Sequence, residues 1–189
     1  MTCPIDLAHD TPASIIERLT NITRITDQTL SFEYAREEVI LSDYQDGMIV
    51  WRTFKDPYAD FIWGTQIEWA TISPHEACGV VLSYLDENNF FAFLVNQNQM
   101  GGIAQFKEGE DSIDLRYISE IRPAPATNDL VVMRRGNELH IYLNGIQLVY
   151  SDPFSTPNKI AIAGQRVGTS SPSSCIFRNG WVRALPPVP

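Results

Sequence analysis

Few residues in this chain carry recognisable chemistry, and they are scattered. Glu68 sits in "WGTQIEWAT", where Gln66, Glu68 and Ala70 alternate with apolar or β-branched neighbours. Cleaving a glycosidic bond takes two carboxylates held ~5–10 Å apart, one acting as acid and the other as base or nucleophile. Glu68 has no second acid on its face of that stretch, so no paired catalytic carboxylates are found, and a partly exposed strand glutamate is the plainer reading. Glu108, Glu110, Asp111 and Asp114 form an acidic run. A calcium ion needs roughly six to eight converging oxygens, usually from separate loops, and a solvated acidic face explains the run without one. "DENN" at 86–89 is explained by a turn.

His9, His75 and His140 have no metal-binding spacing and no companion cysteine cluster. No serine occupies a nucleophile elbow, and neither "MGG" nor "GN" makes a phosphate-binding glycine loop. Cys3, Cys78 and Cys175 are an odd, sparse set rather than a disulfide framework. Buried thiols packing as small apolar groups is the simple reading, with a Cys78–Cys175 bridge left open. The "NIT" at 21–23 matches a glycosylation sequon, a pattern short enough to recur by chance.

The whole chain bounds what these residues can do. Its 189 residues suit one domain with a real core, and 44% hydrophobic with 20% charged residues is a globular composition. The net charge of −9 repels phosphate backbones, so nucleic acid and anionic membrane surfaces are poor partners. No apolar run of about 18 residues exists to span a membrane. The start "MTCPIDLAHD" lacks the basic and apolar parts of a signal peptide. The expectation is a cytoplasmic protein, or an extracellular one if the chain is an excised domain.

The elements that must position the site are nearly all strands. "DTPASIIERLTNI" predicts one short helix: Thr11 can cap, Pro12 suits the first helical position, and Ile15, Ile16, Leu19 and Ile22 recur at helical spacing. "DFIWGTQIEWATI" alternates with period two, putting Phe61, Trp63, Thr65, Ile67 and Trp69 on the core face. Ile62, Gly64, Gln66 and Glu68 fall on the other. "GVVLSYLDENNFFAFLVN" predicts a hairpin around "DENN" with Leu85 opposite Phe90 and Tyr84 opposite Phe91. Both faces of that hairpin are apolar, so both should be covered. "MGG" at 100–102 is expected as a turn, "KEGEDSIDLRYISEI" as less regular, and "RPAPATND" as a loop.

In "RRGNELHIYLNGIQLVY" the Asn144-Gly145 turn sets Leu143 opposite Ile146, Ile141 opposite Leu148 and Leu139 opposite Tyr150. The Gly136-Asn137 turn sets Arg135 opposite Glu138, Val132 opposite Ile141 and Leu130 opposite Leu143. Both turns place one apolar face across three strands, which makes a meander. "KIAIAGQRVG", a serine-rich loop and "CIFRNGWVRAL" close the chain.

About a dozen strands with frequent turns predict an all-β, two-sheet antiparallel jelly-roll sandwich with one short N-terminal helix. The expected organisation is an extension over 1–28, a sandwich over 29–185 and a Pro-rich tail over 186–189. The order "DFIWGTQIEW", "GVVLSYLDENNFFAFLV", "LVVMRRGNELHIYLNGIQLV", "IAIAGQ" and "FRNGWV" resembles the concanavalin-A-like lectin/glucanase superfamily. Within it the pattern is most similar to the laminin-G-type and keto-disaccharide-hydrolase-like branches. The resemblance covers about residues 30–185 and lies in strand pattern rather than in a catalytic motif, so it speaks to fold before function. It implies that calcium, where bound, would use oxygens like those of the 108–114 run; no cofactor is otherwise implied.

The function expected is a non-catalytic recognition module that binds carbohydrate on one sheet face. Sugars stack C–H faces on aromatic rings and need planar polar partners for their hydroxyls. The candidate ligand-binding residues are Gln66, Glu68, His140, Tyr142 and Gln147, all on non-core faces, which converge if their strands share a sheet. The alternatives are a glycoside-processing enzyme of the same superfamily, or a structural domain that binds another protein and no small ligand. Trp63 and Trp69 are expected in the core. Of the other tryptophans, Trp51 and Trp181, neither is assigned to the site.

Overall fold

The computed structural model describes residues 39–41, 49–53, 59–69, 72, 76–86, 88–108, 110–154, 159–166 and 175–185; for 39–41, 49–53, 165–166, 179 and 183 it describes the backbone alone. The helix expected over 11–22 lies outside these residues, as do His9, His75 and Cys3.

Twelve strands form two antiparallel sheets. The first sheet runs β1 (Val39–Leu41), β12 (Cys175–Ala184), β3 (Phe61–Trp69), β8 (Asn128–Arg135), β9 (Glu138–Leu143) and β10 (Ile146–Ser151). The second runs β2 (Ile49–Thr53), β11 (Lys159–Arg166), β4 (Glu76–Asp86), β5 (Asn89–Asn96), β6 (Met100–Lys107) and β7 (Glu110–Tyr117). Their facing sides share one core that includes Phe61, Trp63, Ile67 and Trp69 of β3, Leu130 and Val132 of β8, and Phe91 and Phe93 of β5. This is the jelly-roll sandwich that the alternation predicts.

The meander over β8–β10 has the predicted register throughout, with Leu143 opposite Ile146 and Leu130 opposite Leu143. Asn144 and Gly145 both take positive φ, 49° and 91°, as a tight two-residue turn demands.

Four expectations are corrected. The β4–β5 hairpin carries a bulge between Val81 and Ser83, so Tyr84 pairs with Phe90 and Ser83 with Phe91. One extra residue reverses the alternation: Ser83 turns inward and is fully buried, and Tyr84 turns out. "MGG" is the start of β6 and not a turn, the chain reversing instead just before it, where Gln99 takes φ 60°. Gly102 is needed there because a Cβ would lie 2.0 Å from the Asp114 carbonyl oxygen across the β6–β7 pair. The acidic run is a regular strand, β7, exposed along its length.

Cys78 of β4 and Cys175 of β12 are bonded to each other across the core, with Cα atoms 5.6 Å apart. This replaces the reading of them as free buried thiols. A period-two pattern cannot show it, because it says nothing of which strands face each other.

Ser83 belongs to a buried ionic cluster that also ties the sheets together. Arg134 of β8 pairs with Asp152 at 3.2 Å and donates to Ser83 Oγ at 3.1 Å and to the Phe154 carbonyl at 2.6 Å. Ser83 donates to Asp152 Oδ2, and the Phe154 amide donates to Asp152 Oδ1 at 2.8 Å. Burial pushes the Asp152 carboxyl above its ordinary value, against the opposing pull of Ser83, the Phe154 amide and Arg134.

Candidate functional site

The outer face of the first sheet holds the candidate residues. β3, β8, β9 and β10 are consecutive neighbours in it, so Gln66, Glu68, His140, Tyr142 and Gln147 share one face of one sheet. They form two groups. One surrounds Gln66 and Glu68 on β3. The other, on β9 and β10, is separated from it by β8, about 10 Å of sheet at the usual strand spacing.

In the first group, Gln66 Nε2 donates to Asp129 Oδ1 at 3.0 Å across the β3–β8 pair. Glu68 accepts from Thr127 Oγ1 at 2.9 Å and from Arg178 Nε at 3.2 Å. Arg122 Nη1 lies 3.6 Å from Asp129 Oδ2. The loop supplying Arg122 and Thr127 is fixed by two asparagines. Asn128 Oδ1 accepts from the Arg122 amide and its Nδ2 donates to the Arg122 carbonyl, both at 2.8 Å. Asn144 Nδ2 donates to Asn128 Oδ1 at 2.8 Å and to the Glu120 carbonyl at 2.6 Å. The "NG" turn is thus scaffold for the site, holding the loop that carries Arg122.

In the second group, Gln147 Nε2 donates to Tyr142 Oη at 3.0 Å and lies 2.9 Å from His140 Nδ1. His140 Nε2 meets Glu138 Oε1 at 2.6 Å. An amide N–H pointing at Nδ1 leaves Nε2 to carry the imidazole proton towards Glu138. Burial raises the Tyr142 hydroxyl pKa and its bond from Gln147 lowers it, the first effect prevailing. Tyr142 therefore stays a neutral hydroxyl at physiological pH.

Between the groups lies an apolar floor that sequence reasoning did not assemble. Ile62, Val131, Met133 and Leu185 are buried there, with Tyr142 and Trp181 packed against them. Trp181 pairs with Gly64, Gly64 with Val131, and Val131 with Tyr142, so both aromatics lie in one row across the sheet. The indole covers Gly64: a Cβ there would come within 2.5, 2.6 and 2.8 Å of Cζ2, Cε2 and Nε1. Three consecutive ring atoms thus fill the space that a side chain at position 64 would take. The register shift between Arg178 and Trp181 re-aims that stretch of β12, which keeps both side chains on the outer face. Trp181, Asp129, Arg178 and Arg122 were all missed. For Trp181 a signal existed, a glycine at an outward position of an otherwise regular strand; for Asp129 none did without the β3–β8 pairing.

A half-buried ring set among planar amide, carboxylate and guanidinium groups can stack one face of a small ring and hydrogen-bond its substituents. Glu68 and Asp129 also put two carboxylates on adjacent strands, at diagonal positions of one face.

The two packed antiparallel sheets make a jelly-roll sandwich, and solved structures share that fold. Among solved structures, the chain is similar to the carbohydrate-binding module CBM66 from Bacillus subtilis, with TM-score 0.59 and 16% identity over 76% of this chain and 86% of that one. It is also similar to a Bacillus licheniformis β-glucanase, with TM-score 0.52 and 10% identity over 79% of each chain. A third is a toad ovary galectin in complex with thio-digalactose, with TM-score 0.50 and 9% identity over 69% of this chain and 99% of that one. No protein-family model and no curated protein matches the chain. Among the described residues, no helix is long and apolar enough to cross a membrane.

Proposed function

We propose that the protein is a carbohydrate-recognition module whose ligand lies on the outer face of the first sheet. The observation that carries this is the Trp181 indole laid over Gly64 in line with Tyr142, flanked by Gln66–Asp129 on one side and Gln147–His140 on the other. One sugar ring would stack on the indole. Gln66, Asp129 and Arg178 would take its hydroxyls on the β3 side, and Tyr142 and Gln147 those of an adjoining ring. Their existing mutual hydrogen bonds hold these groups in place before a ligand arrives, which lowers the entropy lost on binding. The likeness to a carbohydrate-binding module and a galectin supports the reading at the level of fold.

A second reading, a glycoside-processing enzyme, is favoured by Glu68 and Asp129 sharing a face. Against it, each acid is already engaged with a cation, Glu68 with Arg178 and Asp129 with Arg122. A glycan array of broad composition separates the readings. Selective binding without turnover of any bound glycan supports recognition. Turnover that Glu68→Gln abolishes supports the enzyme, and no binding at all removes both.

A further inference from the structure

Glu76 and Cys78 occupy alternate positions of β4, so both turn inward. Cys175 meets them from β12 of the facing sheet, where it pairs with Trp69 of β3. All three side chains are fully buried, and a carboxylate oxygen of Glu76 and the two sulfurs lie within 4.8 Å of one another. A carboxylate is rarely found so deep in a core. Cys175 Sγ is 3.9 Å from Glu76 Oε1 and 3.5 Å from the Ala77 carbonyl oxygen. A sulfur in a disulfide carries no hydrogen, so neither approach is a hydrogen bond while the two cysteines are joined.

We propose that in the reduced chain Glu76, Cys78 and Cys175 hold a zinc ion, with the Ala77 carbonyl as fourth donor. Reduction by a small-molecule thiol breaks the sulfur–sulfur bond and gives two cysteine thiols, while two molecules of the reductant become joined as a disulfide. Binding the ion then releases both thiol protons. Zinc lies about 2.3 Å from sulfur and about 2.0–2.2 Å from oxygen, so neighbouring sulfur and oxygen corners of its tetrahedron are about 3.6 Å apart. The two distances from Cys175 Sγ lie on either side of that value. The sulfurs themselves must stand about 3.8 Å apart around the ion. Rotation of Cys78 about its Cα–Cβ bond can supply this, leaving Cys175 against the two oxygens.

The mixed donor set selects the metal. Calcium and magnesium take oxygen ligands, and copper(I) prefers sulfur alone, whereas zinc accepts two thiolates together with oxygens. The bond and the ion are alternatives at one place, and either ties β4 to β12. In reducing surroundings the ion replaces the staple the chain would otherwise lose, because binding energy at such a site is folding energy. The site lies in the core and does not depend on the reading of the outer face as a sugar site.

Cobalt(II) is the probe, because tetrahedral thiolate coordination gives it strong visible bands and a sulfur-to-metal charge-transfer band in the near ultraviolet. The full chain, reduced with a phosphine, is expected to take up one cobalt ion, to yield it to zinc and to keep its β-sheet circular dichroism. The oxidised chain gives no such bands. Cys3→Ser leaves them in place and Cys175→Ser abolishes them. Glu76→Gln keeps both cysteines, shifts the visible bands and weakens cobalt binding about tenfold or more. A reduced chain that gives no bands, or that unfolds with zinc present, overturns the inference. So do bands that survive Cys175→Ser, bands lost in Cys3→Ser, or an affinity that Glu76→Gln leaves unmoved.

Discussion

The Trp181 indole covers Gly64 so closely that a methyl group added to the glycine would come within 2.5 Å of the ring. The two residues are partners across the β12–β3 pair, and the glycine leaves the slot the indole fills. Gly64→Val should displace the ring from the floor formed by Ile62, Val131 and Met133. The expected cost in stability is about 1–3 kcal/mol, as for other overpacked sites. Tryptophan fluorescence should report a more exposed indole, and affinity for a glycan found on the array should fall about tenfold or more, equivalent to 1.4 kcal/mol.

The Arg134–Asp152 pair, at the end of β8 away from Asn128, reaches the second sheet through Ser83 of β4. Arg134→Met leaves the Asp152 carboxylate buried without its cation. Urea denaturation should show a loss of about 3–5 kcal/mol. Replacing Asp152 by Leu in the same chain should recover much of that loss, because removing both charges also removes their desolvation. A double variant as unstable as the single one would assign the cluster's worth to Ser83 and the Phe154 loop instead.

Asp152 gives a pH dependence opposite in sign to ordinary acid unfolding. Its folded pKa is raised by burial, whereas unfolded it titrates at about 3.9. Between those two values the folded chain keeps a proton that the unfolded chain has released, so stability falls as pH rises through that window. The contribution of Asp152 is fullest below about pH 4 and is lost as pH climbs through its folded pKa. Asp152→Asn removes the titration. The stability of the original chain minus that of the variant should therefore decline from about pH 4 upward. A difference that grows with pH would mean that Arg134 dominates the site.

The Cys78–Cys175 bond closes a loop with a sequence separation of 97 residues and joins the two sheets. Loop-closure entropy for that length is worth about 4–5 kcal/mol. Cys78→Ser with Cys175→Ser should lower stability in guanidinium by that order, and the original chain should match the variant only under strong reductant. Equal stabilities without reductant would show that the two cysteines are not joined in the purified protein.

What the sequence made legible follows from what is local in it. Alternation alone sorted Phe61, Trp63, Ile67 and Trp69 inward and Gln66 and Glu68 outward, and two turns set the register of β8–β10. These depend on neighbours a few residues apart. The bulge at Ser83 was not legible, because nothing in "VLSYL" marks the extra residue; its partners Arg134 and Asp152 lie 51 and 69 residues away. Asp129 was missed for the same reason, standing 63 residues from Gln66. Trp181 joined the site through a register shift in β12 and through an outward glycine on another strand. Each half of that arrangement is visible in the sequence, but the pairing that unites them is not.

The most direct test of the proposed site is to titrate the isotopically labelled chain with a glycan selected on the array and follow its NMR spectrum. The Trp181 indole N–H and the side-chain amides of Gln66 and Gln147 should shift together and saturate with one affinity, while the amides of β5 and β6 stay in place. Saturable binding that moves β5 and β6 but leaves Trp181 and Gln66 untouched would contradict the account.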